Sequence, residues 1–155
     1  MKLIGKPPIN PIIFYSGKVA GYAVWLVLLI ELISITGTDQ LSIRKSFALL
    51  LTGISFVIIV VSLINLGSST SLGLPQENTE IRTGGLYKIS RNPMYLGFNI
   101  LSLSAILYIN SFIILIFGIY SIITYHLIIL AEEKFLEDRF GNGYLEYKSK
   151  VRRYI

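Results

Sequence analysis

Residues 84–95, Gly84-Gly85-Leu86-Tyr87-Lys88-Ile89-Ser90-Arg91-Asn92-Pro93-Met94-Tyr95, form a polar hinge between two pairs of hydrophobic segments. The hinge ends by opening a helix. Asn92 is a good N-cap, and Pro93 suits the first helical position, where a missing N–H costs nothing. The apolar residues from Met94 onward carry that helix into a membrane. Gly84 and Gly85 permit backbone conformations that other residues avoid, and they let a ligand approach the main chain closely. A helix N-terminus with Arg91 beside it attracts anions. A capped helix start with a solvated arginine accounts for the same residues, and both readings stand at this point.

Outward from the hinge, the composition names the solvent. Of the 155 residues 53% are hydrophobic and only 15% charged, and the mean hydropathy is +0.65. A soluble domain carries about 25% charged residues, and here the deficit is concentrated in long apolar runs. The expectation is an all-α membrane protein, one integral membrane domain over residues 1–155, because no second composition regime occurs. The absence of cysteine excludes disulfides, thiolate metal sites and cysteine nucleophiles. One histidine, His126, is too few for a histidine-built metal site, so no metal is expected. The net charge of +5 fits membrane topology and anionic lipid heads better than nucleic acid, and no nucleic-acid partner is expected.

Four apolar segments are predicted to span, at 19–35, 47–66, 93–108 and 112–130. Pro7, Pro8 and Pro11 argue against a long helix before the first. A signal peptide is the competing reading of that segment; no small-x-small site follows it, and three more apolar segments do. Ile109-Asn110-Ser111 makes the last two segments a tight antiparallel hairpin. In the tail from Ala131, Leu136, Phe140, Tyr144, Tyr147, Val151 and Tyr154 recur at spacings of three and four, an amphipathic cytosolic stripe. Gly141-Asn142-Gly143 divides it into two helices. With four spans, the N-terminus, the 67–92 connection and the tail share one side. That side carries twelve lysines and arginines against two, Arg44 and Lys45, on the other. The bias puts both termini and the hinge in the cytoplasm, with the cell (inner) membrane as the expected location.

Folding the last hairpin about Asn110 brings Pro93 level with Leu127, and Glu132-Glu133 level with Tyr87-Lys88. Carboxylates at the membrane exit of one helix then face the glycine and arginine hinge of its neighbour. Arg91 could hold a ligand carboxylate there, and a glutamate could hold an ammonium or ribose hydroxyls. An interfacial Arg–Glu ion pair, which contributes little, explains the same placement.

Gly85-Leu-Tyr87, Ser90-Arg-Asn-Pro-Met-Tyr95-Leu-Gly97, Glu132-Glu133 and Phe140-Gly141-x-x-Tyr144-x-x-Tyr147 occur in this order. The set resembles the isoprenylcysteine carboxyl methyltransferase and phospholipid methyltransferase family of integral membrane enzymes, over about residues 66–153. The resemblance implies S-adenosylmethionine as cofactor, enclosed on the cytosolic face by Ile81, Arg82, Gly85, Tyr87, Arg91, Asn92, Pro93, Met94, Tyr95, Glu132 and Glu133. It implies methyl transfer to a lipid-like or prenylcysteine-like acceptor arriving from the bilayer. There are two departures. Asn92 stands where the family often has histidine. The arginine expected about one turn before the acid pair in the eukaryotic prenylcysteine enzymes is missing, which leaves His126 as the only polar candidate there for a substrate contact or a proton acceptor. A non-catalytic membrane protein with a vestigial pocket, joined to other helices through Gly17-x-x-x-Gly21, is one alternative. A small membrane reductase is another.

Overall fold

In the computed structural model, residues 7–34, 42–67 and 81–155 are described. They form five α-helices: α1 (Pro11–Ile33), α2 (Ile43–Leu66), α3 (Pro93–Ile109), α4 (Phe112–Phe140) and α5 (Asn142–Lys150), with a 3-10 turn at Gly85–Lys88. Among the described residues there is no strand, only an isolated parallel bridge between Ser90 and Arg152. The all-helical membrane architecture is as expected. At 23, 24 and 29 residues, α1, α2 and α4 are each long and apolar enough to cross a membrane. The 17 residues of α3 are apolar but shorter. They reach about 25 Å against a hydrocarbon thickness of about 30 Å. This short helix sits at the centre: α2 packs against it most extensively, and α1 and α4 also contact it.

Three element ends differ from expectation, one of them the start of α2 at Ile43 rather than Phe47, where the Ser42 side chain accepts from the Lys45 amide. The first helix starts at Pro11 rather than near Val19, because Pro11 occupies its first turn and the Asn10 side chain accepts from the Ile12 amide at 2.9 Å. The last apolar segment continues as helix to Phe140, since leaving the bilayer ends the run of apolar side chains but not the backbone ladder. Gly141, at φ +52°, then breaks it before α5. The hairpin between α3 and α4 turns on Asn110 in the left-handed conformation. Arg44, at the opposite end of the bundle from the hinge, donates to the Leu107 and Tyr108 carbonyls at the end of α3.

The bundle is apolar outside and dotted with small polar residues inside. Val19, Ile64 and Ile113 are 65%, 71% and 63% exposed, whereas Ser55, Ser62, Ser102, Ser104 and Ser121 are wholly buried. This is the pattern of a protein solvated by lipid, where close approach of small residues rather than expulsion of water joins helices. The Thr52 and Ser104 hydroxyls lie 2.6 Å apart, and Ser104 also donates to the Ala48 carbonyl at 2.7 Å, tying α3 to α2. Trp25 Nε1 donates to Ser102 Oγ at 3.0 Å, tying α1 to α3. On α1, a Cβ added at Gly17 would lie 2.3 Å from Thr124, and one at Gly21 would lie 2.5 Å from Ser121 Oγ. The Gly17-x-x-x-Gly21 stripe therefore packs on this chain's own α4.

Candidate functional site

The hinge is fixed from below by α2. Gly85 has φ +57°, and a Cβ there would meet the Asn65 carboxamide at 1.9 Å, so the turn needs glycine for both conformation and space. Asn65 Oδ1 accepts from the Leu86 amide at 2.9 Å. The sequence reading missed this role, since Asn65 showed only as a polar residue near the end of an apolar run. Tyr87 is buried, and its carbonyl accepts from the Tyr147 hydroxyl at 2.6 Å, joining the hinge to α5.

Asn92 does open α3 just before Pro93, but its side chain makes no capping bond. It donates instead to Glu133 Oε1 at 2.8 Å. The expected cap is thus drawn into the site by the carboxylate opposite, the stronger acceptor. Arg91 is engaged with the protein itself. Its Nε and Nη2 donate to the two oxygens of Glu133 at 3.2 and 3.1 Å, and its Nη1 donates to the Val151 and Lys148 carbonyls at 2.5 and 3.2 Å. Arg153 adds two bonds to Glu133 Oε2, at 3.2 and 3.0 Å. Five donors thus converge on one buried carboxylate, which has about four lone-pair sites.

Glu132 has a different environment. Half-buried, it accepts from the Tyr95 hydroxyl at 2.9 Å. Beneath that pair lies a cluster of rings: Tyr95, Phe98 and Tyr125 with centroids 5.6–6.2 Å apart, and Trp25 stacked on Tyr125 at 6.1 Å. Tyr87 is pushed up to about 12, first by burial and then by Tyr147 and the nearby charge of Glu132. Burial likewise raises Tyr147 to about 12, and it raises Tyr144 further. The hydrogen bond to Glu133 raises Arg153.

The structure thus joins Arg91, Asn92 and Glu133 directly, joins Tyr95 to Glu132, and sets Tyr87 within electrostatic reach of Glu132. Pro93 is buried and Met94 half-buried at the start of α3. Ile81 and Arg82 lie at the entry to the hinge, where Ile81 approaches the position of Gly143 and Arg82 is exposed. His126 stands apart from the acid pair, its Nδ1 2.7 Å from the Tyr154 hydroxyl and its ring stacked on that residue. Arg153 carried no local signal in the sequence beyond its charge. Among the described residues no group of acidic or histidine side chains is arranged to hold a metal.

No curated protein and no solved structure matches the chain. The pattern of the family described as Phospholipid methyltransferase matches residues 43–143, from the start of α2 through the hinge, the acid pair and the first turn of α5. That stretch covers more than half of the sequence, including the hinge and the acid pair but neither Trp25 on α1 nor the tail from Tyr144, and so the chain belongs to the phospholipid methyltransferase family, a family of membrane methyltransferases.

Proposed function

We propose that this protein transfers a methyl group from S-adenosylmethionine, taken from the cytosol, to a lipid or amphiphile that enters from the bilayer. The observation that carries the reading is the Tyr95–Glu132 pair, set where the polar hinge meets the rings of Phe98, Tyr125 and Trp25. A carboxylate above aromatic faces suits a positively charged group, because ring quadrupoles and a partly desolvated anion both attract a cation. The residues present therefore fit a sulfonium cofactor. That cofactor supplies a methyl carbon already activated for displacement. The protein's task is to hold donor and acceptor in line and to keep water out.

Ile81, Arg82, Gly85, Tyr87, Met94, Tyr95 and Glu132 line the proposed cofactor face. Arg91, Asn92, Pro93 and Glu133 form its frame. Glu132 accepts only from Tyr95 among the described residues, which leaves it capacity for a further donor. On the acceptor side, Ser102 and Ser104 are used in helix packing. The buried Asn99 Oδ1, on the α3 face of Tyr95, has no partner among the described groups. His126 is the candidate base for an amine acceptor, which must lose a proton before it attacks; a carboxylate acceptor needs none.

Membranes holding the protein, incubated with methyl-labelled cofactor, should yield a labelled lipid. Glu132→Gln should raise the cofactor Kd by about 10- to 150-fold, the usual loss for one charged hydrogen bond. No labelled lipid and no cofactor binding by the wild type would overturn the assignment. For the orientation, a cysteine at Ser42 should react with an impermeant reagent from outside the cell, and one at Thr83 only after lysis. The reverse pattern would put the site on the wrong side for a cytosolic cofactor.

A further inference from the structure

The acid pair is divided in role, and the chain's last residues make the division. Glu133 is saturated by Arg91, Asn92 and Arg153, and it is 3% exposed. The strand-like segment bearing Arg153 is itself laid along the hinge. The Arg91 amide donates to the Arg152 carbonyl at 2.9 Å, and Ser90 Oγ donates to the Arg153 carbonyl at 3.2 Å. Tyr154 continues the strap to His126 and packs against the cluster of Phe14, Tyr95, Tyr125, Ile128 and Ile129.

We infer that Arg153 is a positioning residue of the proposed site: together with Arg91 it neutralises Glu133, locks the hinge onto α4, and leaves Glu132 as the carboxylate that meets the cofactor. The inference rests on the methyl-transfer reading above. The Arg153 guanidinium donates to Glu133 and makes no hydrogen bond to Glu132 or Tyr95. Its influence on a ligand passes through Glu133 and the main chain of Ser90–Asn92. Without its guanidinium, Glu133 keeps three of its five donors, and the Asn92–Pro93 start of α3 loses the clamp on its outer side. Tyr95, on the first turn of that helix, then shifts relative to Glu132.

The test uses the full chain in lipid nanodiscs, with cofactor affinity, initial rates and thermal unfolding measured on each variant. Arg153 is partly exposed, so its removal belongs at the lower end of the range for charged hydrogen bonds. Arg153→Ala should raise the cofactor Kd by about tenfold. The rate at saturating cofactor should fall less than the affinity does. Arg153→Lys, which keeps the charge without the fork, should recover part of the affinity. In a Glu133→Gln background the Arg153→Ala change should have little further effect, and in a Glu132→Gln background its effect should also shrink, because the route ends at Glu132. An Arg153→Ala protein that melts earlier but binds cofactor like the wild type would show a purely structural tail. Equal Arg153 effects with and without Glu133 would refute the proposed route. If Arg153→Ala does not fold, Arg153→Lys and the Glu133→Gln pair give the same comparison. A wild type that binds no cofactor would remove the methyl-transfer reading itself, an outcome visible before any variant is compared.

Discussion

Arg91→Ala should destabilise the fold before it affects chemistry. The Arg91 side chain is 7% exposed and its partner Glu133 is 4% exposed, so the pair is shielded from water. The change removes two bonds to the carboxylate and two to the Lys148 and Val151 carbonyls. Those carbonyls belong to the C-terminal end of α5, so the same guanidinium also caps a helix. Breaking a buried pair by deleting one partner costs about 3–5 kcal/mol. Arg153 and Asn92 still serve Glu133, which brings the expectation to the lower figure, about 3 kcal/mol. For a domain of this size that is a fall in Tm of about 6–12 °C. Trp25, the single tryptophan, lies inside the bundle and can report unfolding in detergent by its fluorescence, with helical circular dichroism as a second probe. Arg91→Lys should fall between the two, since an ammonium cannot reproduce the fork. An Arg91→Ala protein that melts with the wild type would mean that the hinge is held without this residue, and the account of the frame would fail.

Asn92→Asp sets a second carboxylate against Glu133 and should lose about 2 kcal/mol or more of stability, while Asn92→His keeps a donor and should lose less; equal melting of the two would refute the role given to the amide. Gly17→Ala should cost about 1–3 kcal/mol through the clash with Thr124, whose Cβ would itself lie 2.4 Å from the new methyl group, and a Gly17→Ala protein as stable as the wild type would show that α1 and α4 are not in contact there. The tyrosines give a pH test. Tyr87 and Tyr147 are held at about 12 against an ordinary 10.0, so their neutral forms are favoured in the folded state. Their contribution to stability is complete below about pH 10 and is lost as pH rises from there through about 12. Absorbance at 295 nm should show a late ionisation that Tyr87→Phe diminishes; all tyrosines titrating together near 10, with no fall in melting temperature, would count against their burial.

The apolar runs made the helices legible, because in lipid a run of apolar side chains must be helical to satisfy its own backbone. The ends were less so. Pro11 reads as a breaker in a sequence and as a first-turn residue in the fold, and only the Asn10 side chain bonding back distinguishes the two. The meeting of hinge and acid pair was also legible, since a two-residue turn at Asn110 fixes α3 and α4 antiparallel. Its register was not. Glu133 meets Arg91 and Asn92, and Glu132 meets Tyr95, rather than Tyr87 and Lys88. Helical counting applies only from Pro93 onward, and the 3-10 turn at Gly85–Lys88 carries the earlier residues off the axis of α3, toward Asn65 and Tyr147.

Arg91 and Arg153 show how a charge can be counted for one purpose and used for another. Both belong to the twelve basic residues of the expected cytosolic side, yet both are turned toward Glu133 rather than toward lipid heads. Setting these two aside still leaves ten against two. The orientation argument therefore does not depend on the site, and the site does not depend on the orientation. What connects them is geometry: the hinge, the acid pair, the tail and the Phe14 end of α1 gather at one end of the bundle, while Arg44 and Lys45 cap the other beside Tyr108. On the proposed reading, a cofactor arriving from water at this end would meet the Glu132 carboxylate locally, against the basic excess around it, while Tyr95 and its neighbouring rings face the apolar interior of the bundle.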